Sequence, residues 1–127
     1  MKLTSTVVEF ITTASAKAFA TDGSAGLNVV PVSVITVETD VVILYNFFMK
    51  KTLENIGQPN TPVALTCWEG LRGLQLRATA TSYNKGELFS AAQTVIATQF
   101  PDRTLASIIV LQPTAIFDVS VGTPKVI

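Results

Sequence analysis

Apolar positions along the chain recur with two periods, and each period marks an element. Val7, Phe10 and Ile11 form a helical stripe, and Thr6 with Glu9 has capping-box spacing, which predicts a short helix over residues 5–13. Residues 17–21 read as a strand, and the Asp-Gly-Ser-Ala-Gly run at 22–26 as a turn. Residues 27–37 are β-prone throughout, yet Pro31 stands in their middle and cannot donate to a ladder. That strand must therefore have an edge, a bulge or a bend at Pro31. Glu38, Thr39 and Asp40 make a tight turn into the strand at 41–45, Val-Val-Ile-Leu-Tyr. Leu53 and Ile56 stand three apart, which suits one face of a short helix, and Gly57 and Pro59 close it.

The second half alternates more clearly. A strand is predicted at 61–68 and a hairpin connection at 69–73, with Gly70 and Gly73 supplying backbone freedom. The strand at 74–83 places Gln75, Arg77 and Thr79 on one face. Asn84 and Glu87 again have capping spacing, and Leu88, Ala91, Ala92, Val95 and Ile96 make a helical stripe to about Gln99, which Pro101 ends. A last strand spans 106–119. No repeat, low-complexity tract or linker interrupts this order, so residues 1–127 are expected to form a single domain. Six strands with three separated helices predict a mainly β fold, a small closed or split barrel with helical cover.

Composition sharpens that picture. With 48% hydrophobic and 14% charged residues, the chain is apolar for a domain of 127 residues. A sheet covered on both faces or a buried oligomer interface would absorb the excess, and the interface is the favoured account. No apolar run reaches the roughly 18 residues of a membrane helix, and Glu9 arrives too early for a signal peptide. Nine basic residues balance nine acidic ones, so no net field draws nucleic acid. The single cysteine, Cys67, fits a reducing, cytoplasmic setting and sits in an apolar run as a structural thiol rather than a nucleophile.

Histidine is absent, which excludes a Ser-His-Asp triad, a Cys-His pair and histidine-ligated zinc or haem. No carboxylate pair or cysteine cluster takes its place, and no metal site is expected. Chemistry in such a chain has to come mostly from a cofactor. The candidate place is Lys50-Lys51-Thr52, at the start of the short helix that follows a strand. Unpaired backbone N–H groups, two ammonium groups and a hydroxyl there suit a phosphate. A solvated pair of surface lysines is the plain alternative. Likewise, a bend at Pro31 would free nearby backbone groups for a ligand, or merely turn a barrel corner.

Taken together, these stretches resemble the FMN-binding split-barrel family, the relatives of pyridoxamine 5′-phosphate oxidase. The segment from Met49 through Lys50, Lys51, Thr52 and Leu53 to Asn55 is similar to the family's basic phosphate-binding segment. Asn28, Val29, Val30, Pro31, Val32 and Ser33 resemble the strand whose backbone lies along the flavin ring, and Gln75 resembles a glutamine that hydrogen-bonds it. The resemblance implies a six-stranded split β-barrel, FMN as cofactor and a homodimer with the flavin at its interface. It implies phosphate binding by Lys51 and Thr52 with Lys50 assisting, and electron transfer or flavin-dependent reduction as the activity. Phe47, Phe48 and Trp68 could shield the ring or simply fill the core. The oxidase's C-terminal substrate segment carries an arginine and a histidine; the tail at 118–125 has neither, so oxidation of vitamin B6 is not expected. Another phosphorylated cofactor such as F420, or a cofactor-free structural dimer, remains the alternative.

Overall fold

A computed structural model describes residues 1–122 of the chain. Thr123, Pro124 and Lys125, the end of the tail just mentioned, lie outside the described residues. The elements are α1 (Ser5–Thr13), β1 (Ala16–Thr21), β2 (Asn28–Pro31), β3 (Ile35–Val37), β4 (Val42–Asn46) and α2 (Lys50–Asn55). They continue with β5 (Thr61–Glu69), β6 (Arg72–Tyr83), α3 (Glu87–Gln99) and β7 (Ser107–Asp118). The strands form one curled antiparallel sheet in the order β2-β1-β5-β6-β7-β4-β3, a split barrel with helical cover.

The expected count of six strands is corrected to seven, and the cause is Pro31. Residues expected to form one strand leave β1 just after the proline, where Val32 N–H makes a last bond to Lys17 O at 3.1 Å. Two residues later Val34 O accepts from Tyr45 N–H at 3.3 Å, and the chain joins β4 instead. A residue without an N–H is a natural place to change partners. The two sheet edges are therefore consecutive pieces of one segment, and this segment spans the split in the barrel.

Two helix caps also differ from the spacing argument. Thr4, not Thr6, caps α1; its Oγ1 accepts from Val7 N–H at 3.2 Å. Gly86, at a φ of 97°, precedes α3 in place of an Asn84 cap. The buried stripe of α3 is Phe89, Ala92 and Ile96, while Leu88 and Val95 are exposed. The helix carries apolar pairs at 88/89, 91/92 and 95/96, and the sheet selects the second member of each.

The inner core joins Val7, Phe10 and Ile11 of α1 to Phe19, Leu44, Leu65, Leu76 and Leu111 of the sheet. A second cluster packs α3 against Tyr45 and Ile108. Ile108 and Ile109, neighbours with opposite directions, are both fully buried because this part of β7 is covered on both sides. By contrast, the outer face of β2, β1, β5 and β6 leaves Val29, Trp68 and Arg77 exposed. Of the described helices none is long and apolar enough to cross a membrane.

Candidate functional site

The site is built from the polar groups that the sheet buries. Among the described residues the buried polar side chains are Thr21, Asn46, Thr52, Asn55 and Ser107. Every one is tied into α2 or its approach. At the entry, Asn46 Oδ1 accepts from Met49 N–H at 2.6 Å while its Nδ2 donates to Ser107 Oγ at 2.9 Å. In the first turn, Thr52 Oγ1 accepts from Asn28 Nδ2 at 3.1 Å. At the exit, Asn55 Nδ2 donates to Thr21 Oγ1 at 3.0 Å and to Gly26 O at 2.7 Å, and its Oδ1 accepts from Ala25 N–H at 2.8 Å. Six residues do not make a stable helix unaided. These three buried contacts set its position, and each has a satisfied partner, as burial requires.

Lys50 and Lys51 are both exposed and hold no carboxylate partner among the described residues. Met49 at the N-cap makes no side-chain capping bond. Thr52, at 0% exposure, turns its hydroxyl inward to Asn28 and so ties helix to strand instead of facing the surface. A cleft of about 270 Å³ opens beside this helix, lined by Val30, Pro31 and Ser33 on one side and Tyr45, Phe47, Phe48 and Met49 on the other. Phe48 is 94% exposed at its rim. Sequence-distant candidates Asn28 and Thr52 thus meet, and the Pro31 bend meets the residues leading into the lysine pair. Val29 is outward and exposed, whereas Val32 points into the core.

Gln75 stands apart from that cleft but shares a sheet face with Pro31. Register places Pro31, Ala18, Thr66, Gln75 and Phe117 in one row across β2, β1, β5, β6 and β7. Three strand intervals, about 14 Å, separate its first and fourth members. The expected pleat of β6 holds: Leu74, Leu76 and Ala78 are buried, and Gln75, Arg77 and Thr79 turn outward. The hydrogen-bonding roles of Asn46, Asn55 and Ser107 carry no mark in the apolar pattern; Asn46 has its place at the end of an apolar strand as a signal, Asn55 its place at the end of the lysine segment, and Ser107 none.

Cys67 is fully buried, and burial pushes its thiol up from 9.0 to about 11, opposed in part by the charge of Lys17. A thiol-reactive disulfide reagent at pH 8 is expected to leave the folded protein unlabelled and to modify it once denatured. The raised value also has a sign for stability. Below 9.0 both states keep the proton; as pH climbs from 9.0 towards 11 the unfolded chain ionises first, and stability falls. Cys67→Ala should remove that part of the alkaline loss in pH-dependent urea unfolding. Rapid labelling of the native protein at pH 8 would contradict the assignment.

A curled antiparallel sheet whose two short edge strands are one interrupted segment, with a pinned helix after the fourth strand, is the split-barrel fold of FMN-binding and pyridoxamine 5′-phosphate oxidase-type proteins. Solved structures bear this out. HupZ of Group A Streptococcus matches with a TM-score of 0.81 at 17% identity, over 97% of this chain and 98% of that one. An FMN-binding protein of Syntrophomonas wolfei subsp. wolfei matches with a TM-score of 0.72 at 16% identity, over 92% and 88% of the two chains. HutZ, the heme storage protein of Vibrio cholerae, matches with a TM-score of 0.66 at 17% identity, over 93% and 95%. No family model and no curated protein matches the sequence.

Proposed function

We propose that this chain is a cytoplasmic FMN-binding flavoprotein, a homodimer that carries electrons or reduces a small acceptor through its bound flavin. The observation that carries the reading is the Asn28–Thr52 hydrogen bond of 3.1 Å, which joins the strand segment expected along the ring to the helix expected at the phosphate. The residues present fit the group. Lys51 and Lys50 would hold the phosphate dianion, with Thr52 fixing the helix beneath them through Asn28, and their lack of carboxylate partners among the described residues leaves both ammonium groups for it. The backbone of Asn28, Val29, Val30, Pro31, Val32 and Ser33 would border the ring where it leaves the cleft, and Gln75, across the sheet face that Pro31 shares, would meet its far, polar edge. Bound FMN supplies hydride and single-electron transfer itself, so the chain's part is to bind, orient and shield.

A homodimer accounts for the uncovered sheet face. Val29 is 68% exposed, Trp68 41% and Phe117 47%, and cross-strand register sets all three on that face around Ala16, Ala18, Ala20 and Ala64. Small side chains let a second sheet or a flat ring approach closely. A cleft of about 270 Å³ is at the small end for a cofactor site, which suits one completed by the second copy. The comparison with a heme storage protein does not carry over to histidine-ligated haem, because the chain has no histidine.

Purified protein should be yellow, and mass spectrometry of the released cofactor should give FMN. Release of F420 instead would keep the phosphate site and change the cofactor; a colourless protein that takes up neither would leave a cofactor-free dimer. Sedimentation should give a dimer burying roughly 2,000 Å² or more, and a flavin-loaded monomer at micromolar concentration would overturn that part. Pyridoxine 5′-phosphate should be a poor substrate, and turnover with NAD(P)H should vary only gently between about pH 6 and 8, since the chain has no histidine to titrate there.

A further inference from the structure

Arg77 and Gln75 stand two apart on β6 and turn to the same outer face. Arg77 Nε donates to Gln75 Oε1 at 2.7 Å. A guanidinium has donors only, so the amide can meet it through its oxygen alone. The arginine is itself steadied, with its guanidinium carbon 5.4 Å from the centre of the Phe117 ring, a cation–π distance. Phe117 in turn is the register partner of Gln75 on β7. These three side chains therefore form one closed unit: the ring holds the arginine, the arginine holds the amide oxygen, and the amide NH₂ is left outward. Beside the unit a groove of about 510 Å³ runs over the same face, lined among others by Ala20, Leu27, Ala64, Arg77 and Thr79. Ala20 and Ala64 in its lining carry little beyond their Cβ atoms, which leaves room for a flat group.

We infer that Arg77 is a positioning residue that commits Gln75 to act as a hydrogen-bond donor, so that this face selects a flat ring by an acceptor atom at its edge. The inference rests on the flavin reading and deepens it. Gln75 meets a ring carbonyl oxygen, not the ring's own N–H. An amide free to flip could serve either; an amide whose oxygen is held by Arg77 keeps its NH₂ for the acceptor. A donor at that edge favours the electron-rich reduced ring over the oxidised one, so it raises the potential of bound flavin as well as the affinity.

Both side chains are at least partly exposed, so replacing them should leave the fold intact. The test is a double-mutant cycle on the FMN-loaded protein with Gln75→Leu, Arg77→Met and the double variant. The readouts are FMN affinity and the reduction potential of the bound flavin. Gln75→Leu is expected to weaken FMN about tenfold, the effect of one lost hydrogen bond of ordinary strength, and to lower the potential. Arg77→Met is expected to weaken it about fivefold and to shift the potential in the same direction. The double variant should be no more than about twofold worse than Gln75→Leu, because an arginine that works through the amide has nothing left to act on. Multiplying effects, near fiftyfold in the double variant, would mean that Arg77 acts by its charge alone and would overturn the inference. So would an unchanged affinity and potential in Gln75→Leu. A wild-type protein that takes up neither FMN nor riboflavin overturns the flavin reading, and this assignment with it.

Discussion

Under the proposed flavin reading, replacing Lys51 with alanine is expected to weaken FMN binding about 10- to 100-fold and to leave riboflavin binding where it was. The magnitude follows from one charge-assisted contact to a phosphate, about 1.5–3 kcal/mol. The selectivity follows from placement. Lys51 stands at the start of α2, exposed and without a carboxylate partner among the described residues, while the proposed ring site draws on other segments. Riboflavin has the ring and no phosphate, so it reports on everything except the lysine. Lys50→Ala should act in the same direction with a smaller effect. Fluorescence titration of both ligands against wild type and variant decides the matter; equal FMN affinity would remove the phosphate from Lys51.

The largest loss of stability is expected at a residue that need not touch a ligand. Asn55 is 5% exposed and makes three hydrogen bonds, to Thr21, Ala25 and Gly26. Asn55→Ala strands a buried threonine oxygen, an N–H and a carbonyl at once. Gly23 already packs against the Asn55 backbone so closely that any side chain there would clash, which leaves the surrounding loop little room to close the gap. Unsatisfied buried groups cost about 1–3 kcal/mol each when water cannot reach them, and the loop here is partly open, so a total of roughly 2–4 kcal/mol is expected. Urea unfolding should register that loss, and melting should fall by roughly 8–16 °C. A change below about 0.5 kcal/mol would mean that Asn55 is not the clamp between the 22–26 turn and α2.

Periodicity carried most of the architecture. The α1 range, the position of α2, the β5–β6 hairpin and the outward turn of Gln75, Arg77 and Thr79 all agree with the apolar pattern. The disagreements have local causes. Pro31 was recognised as a point of bending, but whether a strand bends or divides depends on where its next partner lies, and β4 had no mark for that. Apolar doublets in α3 allow two stripes, and only the packed sheet chooses between them. For the candidate site, basic residues at a helix start were visible as charge and position. The polar lattice beneath them was not: Asn46, Thr52, Asn55 and Ser107 bond to residues between 24 and 61 positions away, and nothing in a local window reports such pairs.

The division of the strand at Pro31 also guards the molecule against unwanted polymerisation. A sheet grows by adding strands to unpaired edges, and long flat edges are the usual seeds. Here the two twelve-residue strands, β6 and β7, lie inside the sheet with partners on both sides. The edges are only four and three residues long, and one of them ends in a proline that has no N–H to offer. A passing extended chain finds little to zip against. Edge-to-edge growth of the sheet is thereby disfavoured at both ends by the same interruption.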